Sequence, residues 1–226
     1  MPNHVQNILT IVGHKNHVEP LLSFIREDDS SISFKKIIPM PEELKGSRAP
    51  ALVVTEAEYK KWEKEKDLKP PAHPLIGESA PITKEIQRDW LERFGADNWY
   101  DWTTAHWGTK WDAYSTEISD VQPLPDKKGY VTVQIQFQTA WSSGAHVIDT
   151  LARNYPTIEF YLLYADEDCG SNTGEIWWEQ GGMKDDLIPD YSMENYFKCW
   201  GGEDGWKQVD DEWVWADDEI DDGCEH

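Results

Sequence analysis

Basic residues are scarce in the second half of this 226-residue chain. Residues 1–110 hold 15 Lys and Arg against 17 Asp and Glu, a balance of −2, while residues 111–226 hold 6 against 26, a balance of −20. The formal charge of −22 therefore belongs to one half. Such a field repels a polyanion at long range and attracts a basic protein surface, which argues against direct nucleic-acid binding. Cysteine is also sparse. Cys169, Cys199 and Cys224 are far apart, odd in number and form no CxxC pair, which excludes a disulfide framework and a structural zinc site and fits reduced thiols in the cytoplasm. No apolar run approaches the roughly 18 residues of a membrane span. The opening "MPNHVQNILTIVGH" lacks the basic start and long apolar stretch of a secretory signal. A phosphate-binding glycine loop, a GxSxG elbow and an HExxH pair are missing too, so neither a cofactor nor a metal is expected.

Tryptophan, by contrast, is abundant, with 13 in the chain. Trp99, Trp102, Trp107 and Trp111 fall within "NWYDWTTAHWGTKWDAY", residues 98–114. Two readings fit. These rings, with Trp141, could form a small core that glues neighbouring elements, since each buries a large area and its N–H can reach a carbonyl. They could instead form an aromatic platform lining a pocket, where Lys110 lies between rings and His106 and Asp101 could do acid–base work. The density of rings favours architecture.

Along the chain, residues 4–13 alternate like a strand, and Val18, Leu21, Leu22 and Ile25 then recur at helical spacing. "SISFKKIIPMP" reads as a second strand. Residues 41–97 are rich in proline and charge and hold two helical stretches, near 55–66 and 82–95, which suggests an insertion. "WDAYSTEISDVQPLP" and "GYVTVQIQFQTAW" read as a strand pair. In the second, Val131, Val133, Ile135 and Phe137 face one way and Thr132, Gln134, Gln136 and Gln138 the other. A helix follows through residues 142–156, then a hairpin built on "TIEFYLLYADED" and "EIWWEQGG", with "DEDCGSN" as a solvated turn. Two split β-α-β elements on one antiparallel sheet make a single α+β domain over 1–226. It is ferredoxin-like, with helices on one face and a helical, Pro-rich insertion at 41–97.

"HWGTKWDAY" and "FQTAWSSGAHVIDTLARNYP" together resemble the YubB-like proteins of plasmids and phages. The resemblance is most specific over residues 98–182. It implies a ferredoxin-like domain in a protein of a mobile genetic element. Because that family has no assigned function, it implies no site residues. The chain departs from the family pattern at "SSG", residues 142–144, where Ser-Pro-Pro is expected, and in its acidic end.

That end, residues 203–226, carries 11 acidic side chains and one lysine, punctuated by Trp206, Val209, Trp213 and Ile220. The spacing of Trp206, Val209 and Trp213 suggests a docked helix. Charge and missing catalytic motifs favour a non-catalytic acidic interaction protein. Asp210, Asp211, Glu212, Asp217, Asp218 and Glu219 would meet a basic host protein, with carboxylates standing in for nucleic-acid phosphates. The competing reading is a small-ligand-binding protein or enzyme with a Trp-lined pocket between sheet and insertion.

Overall fold

The computed structural model describes residues 3–28, 31–65, 80–209 and 212–215. A strand, β1 (His4–His14), runs straight into α1 (Lys15–Ile25), which buries Val18, Leu21, Leu22 and Ile25. A long excursion follows: the one-turn helix α2 (Phe34–Ile37), β2 (Val53–Val54), α3 (Glu56–Glu65), β3 (Ile82–Thr83), α4 (Lys84–Phe94) and α5 (Trp99–Trp107). The chain then returns to the sheet through β4 (Tyr114–Ile118), β5 (Gln122–Pro123), β6 (Tyr130–Ala140), α6 (Ala145–Asn154) and β7 (Glu159–Asp166). Last come β8 (Gly174–Glu179), β9 (Gly182–Leu187), α7 (Met193–Trp200) and the paired β10 (Trp206–Val209) and β11 (Glu212–Trp215).

The main sheet runs β4-β6-β1-β7-β8-β9, with β5 beside β6, and the described pairings within it are antiparallel. Strip away the excursion and the order β1-α1-β4-β6-α6-β7 leaves the split β-α-β arrangement of a ferredoxin-like domain. Strand alternation sets the two faces. Leu9, Ile11, Val133, Ile135, Phe137, Phe160 and Leu162 join α1 and α6 in one core. The opposite face carries Gln134, Gln136 and Gln138 on β6, and α7 packs against its β7 side, where Trp200 Nε1 donates to Ala165 O at 3.1 Å.

One buried polar side chain ties three pieces of this core together. Asn7, fully buried, donates to Val5 O and Thr139 Oγ1, both at 2.9 Å, and accepts from the Gly144 amide at 3.1 Å. Gly144 starts α6 without a side-chain cap. A Cβ there would sit 3.0 Å from both Phe137 and Phe34, so glycine is the residue that fits.

Two elements differ from what the sequence suggests. "SISFKKIIPMP" is not a sheet strand. The Asp112 carboxylate accepts from Phe34 N (2.6 Å) and Ser33 Oγ (2.9 Å), which starts α2 and drops the Phe34 ring into the core against Trp107 and Phe137. A contact 78 residues away thus overrides local β propensity. Likewise Trp206, Val209 and Trp213 lie in the β10–β11 hairpin rather than a helix. Trp206 pairs with Trp215 across the strands and Phe197 of α7 packs on Trp213 at 5.0 Å, so rings from both strands cover one helix. The Pro-rich middle of the excursion, residues 66–79, lies outside the described residues.

Candidate functional site

The tryptophan segment divides at Gly108. Helix α5 begins at Asn98, whose side-chain oxygen accepts from Asp101 N at 3.0 Å. It ends at Gly108, in the left-handed region at φ 75°, where a Cβ would lie 2.9 Å from His146 Nδ1. Before that turn two rings go inward. Trp102 and Trp107 are buried, meet edge to face at 5.7 Å, and Trp107 Nε1 donates to Ile38 O at 3.0 Å. After it, Thr109 is buried and its hydroxyl donates to Ala140 O (2.8 Å) and accepts from Ala140 N (3.0 Å).

Trp111 of the segment and Trp141 at the end of β6 are exposed, contrary to the single small core expected of them. Trp111 is 38% exposed and Trp141 44% exposed. Trp141 has φ 73°, a left-handed conformation that a bulky side chain rarely adopts and that costs on the order of 1–3 kcal/mol. This backbone turns the ring outward. It is held from both sides, because Trp141 N donates to Asn3 O (3.0 Å) and Trp141 O accepts from Asn172 Nδ2 (2.9 Å). Asn3 and Asn172 are in turn both clamped, at 3.1 Å each, by the two carboxylate oxygens of Asp166. Asp166 is 4% exposed and also accepts from Asp168 N. The "DEDCGSN" stretch is therefore a buried bracket at its first residue, not merely a solvated turn. One partner, Asn172, closes the same stretch six residues on, and the other, Asn3, comes from the N-terminal end 163 residues away.

Around Trp141 a corner forms. Lys110 Nζ lies 4.8 Å from the Trp141 ring centroid, 5.0 Å from Trp111 and 6.0 Å from Tyr100. The Tyr100 ring meets Trp141 at 86° and Trp99 at 84°. Trp99, Tyr100, Lys110 and Trp141, with Ala49, Pro50, Asn98 and Asp101, line a recess of about 360 Å³. Asn98 Nδ2 donates to Asp101 Oδ2 at 2.7 Å and so orients that carboxylate. Among the described residues no carboxylate lies within ion-pair distance of Lys110. A cation backed by three rings, in one recess with an oriented carboxylate, can hold a ligand by stacking and charge together.

The structure does not join His106 to Asp101. The His106 ring stacks on Trp102 at 4.2 Å and its Nδ1 lies 2.9 Å from Trp102 O, whereas Asp101 bonds to Asn98. Burial pushes the Cys199 thiol up to about 12, and Lys198 only partly offsets it, so it is a protonated packing group at neutral pH. A second recess of about 470 Å³ lies at the starts of α3 and α4, lined by Glu56, Glu58 and Glu85; Glu58 is occupied there in capping Thr55. Among the described residues no group of three or more His, Cys, Asp or Glu is placed to hold a metal ion, and no helix is long and apolar enough to cross a membrane. Of the acidic positions singled out in the sequence, Asp210, Asp211, Asp217, Asp218 and Glu219 lie outside the described residues, and Glu212 is placed only as the first residue of β11.

Fold and topology define the class as a ferredoxin-like α+β domain. Residues 106–210 match the family model described as the ferredoxin-like domain in Api92-like protein. The crystal structure of a protein api92 from Yersinia pseudotuberculosis is similar over 85% of this chain and 99% of that one, at 11% identity and a TM-score of 0.44. No curated protein matches the chain significantly.

The division at Gly108 has a direct consequence. Trp107→Ala should lower unfolding free energy by about 3–5 kcal/mol, because it empties a buried site and orphans Ile38 O. Trp111→Ala should cost less than about 1 kcal/mol, as expected of an exposed ring. Urea unfolding of both variants checks this, and equal losses would contradict the placement of Trp111 on the surface.

Proposed function

We propose that this protein is a non-catalytic binding protein whose contact site is the corner formed by Trp99, Tyr100, Lys110 and Trp141. The observation that carries the reading is Trp141. A large ring is held exposed, in a strained backbone, by a buried bracket that reaches it through two asparagines. Strain kept in this way is stored where a surface has a task. The separate engagement of His106 and Asp101 supports binding rather than acid–base catalysis.

Charge supports a second contact, to a basic protein. The resemblance of residues 98–182 to YubB-like proteins supports a mobile-element setting, in which that partner is a nucleic-acid-binding protein of the host cytosol and spaced carboxylates take the place of phosphates. Among the described residues, the outer strand β9 and the loop after it favour this reading. They expose Asp185, Asp186 and Asp190 beside Met183, Leu187, Ile188 and Tyr191, a mixture suited to steering a basic surface and then holding it.

Two experiments test these contacts. Replacing Trp141 by glycine removes the ring and relieves the backbone, since glycine adopts positive φ freely. Trp141→Gly should stay within about 1 kcal/mol of wild-type stability while losing the hits of a ligand-observed NMR screen of sugars, amino acids and nucleotides. Hits that survive the substitution would place the contact site elsewhere. For the acidic contact, reversal to lysine at Asp210, Asp211, Glu212, Asp217, Asp218 and Glu219 should weaken binding of a lysine-rich peptide and flatten its salt dependence, and reversal at Glu63 and Glu65 should do much less. Equal losses at both places would leave only net charge as the cause.

A further inference from the structure

We infer that the corner binds a pyranose sugar that carries a carboxylate, an assignment that rests on the corner being the contact site. Ring geometry comes first. A flat base is best held between parallel faces or on one long face. Here Tyr100 stands at 84° to Trp99 and at 86° to Trp141, so each tryptophan meets the Tyr100 ring as a wall at a right angle. A sugar chair presents C–H bonds on more than one side and can touch two such walls at once. The positive edges of those C–H bonds meet the negative ring faces.

The polar groups set the rest. Lys110 stands in the angle of the walls with no carboxylate partner among the described residues, so an incoming carboxylate would complete it. Asp101, with one oxygen held by Asn98 Nδ2, keeps lone pairs for ring hydroxyls and repels a second negative group. Ligand charge is therefore confined to one end. The overall −22 charge adds to this by disfavouring polyphosphates and polyanionic chains. At about 360 Å³ the recess suits one sugar ring and its substituents.

Calorimetry and saturation-transfer NMR on the whole protein, with glucuronate, N-acetylneuraminate, glucose and uridine monophosphate as probes, test the assignment. Both acidic sugars should bind, at least about tenfold more tightly than glucose. Lys110→Met should bring glucuronate down to the level of glucose, and Trp141→Gly should abolish binding of all sugars while the thermal transition is retained. Uridine monophosphate binding better than the sugars and lost in Trp141→Gly would overturn the ligand class but leave the corner as the contact site. Sugar binding unchanged in Trp141→Gly would overturn both, and no binding of any probe would overturn the inference.

Discussion

The hydroxyl of Thr109 exchanges two hydrogen bonds with the backbone of Ala140, and much of the surface follows from that exchange. Thr109 closes the long excursion that began after α1. Ala140 closes β6, one of the two longest strands of the sheet. Pinning one to the other puts the next residue of each, Lys110 and Trp141, side by side on the outside. Both partners are buried, so the pair works in surroundings where an unmet donor or acceptor costs on the order of 1–3 kcal/mol. The Thr103 hydroxyl, 3.0 Å from Lys110 O, and the contact of Ser142 Oγ with Gly108 O fix the same junction from either side.

Inside and outside at this junction have different tasks. Trp102, Trp107, Thr109 and Asp112 face inward and build the fold: a buried ring pair, a hydrogen-bond staple, and the carboxylate that starts α2. Lys110, Trp111 and Trp141 face outward and are backed by that rigid layer. The dense tryptophan segment is thus both architecture and surface: Trp102 and Trp107 of α5 point into the core, while Trp99, Tyr100 and Trp111 remain at least partly exposed. Support from rigid elements is what lets an exposed side chain keep one geometry for a ligand.

Local pattern carried some of this and long-range contact carried the rest. The period-two pattern of β6, the Thr83 cap and Gly95 stop of α4, and the apolar stripe of α6 are properties of short windows, and they are legible because one neighbourhood decides them. Phe34 is different: its segment alternates like a strand until Asp112 supplies a helix start. The tail aromatics have helical spacing until Phe197 offers them one surface to share. Asp166 looks like one acid among several, and only the approach of Asn3, 163 residues away, turns its local bond to Asn172 into a bracket. In each case the deciding partner is remote in sequence, and no window of propensity contains it.

The claim that the Thr109–Ala140 exchange sets Lys110 against Trp141 can be measured directly by the proton shifts of the Lys110 side-chain methylenes. In the wild type, with Nζ 5.0 Å from the Trp111 centroid and 4.8 Å from that of Trp141, these protons should lie upfield of those of an exposed lysine. Thr109→Val keeps the shape but removes the hydroxyl, and in the folded variant the Lys110 methylenes should return toward ordinary lysine values while those of a distant lysine such as Lys184 stay where they are. Upfield Lys110 signals that persist unchanged in Thr109→Val would contradict the account.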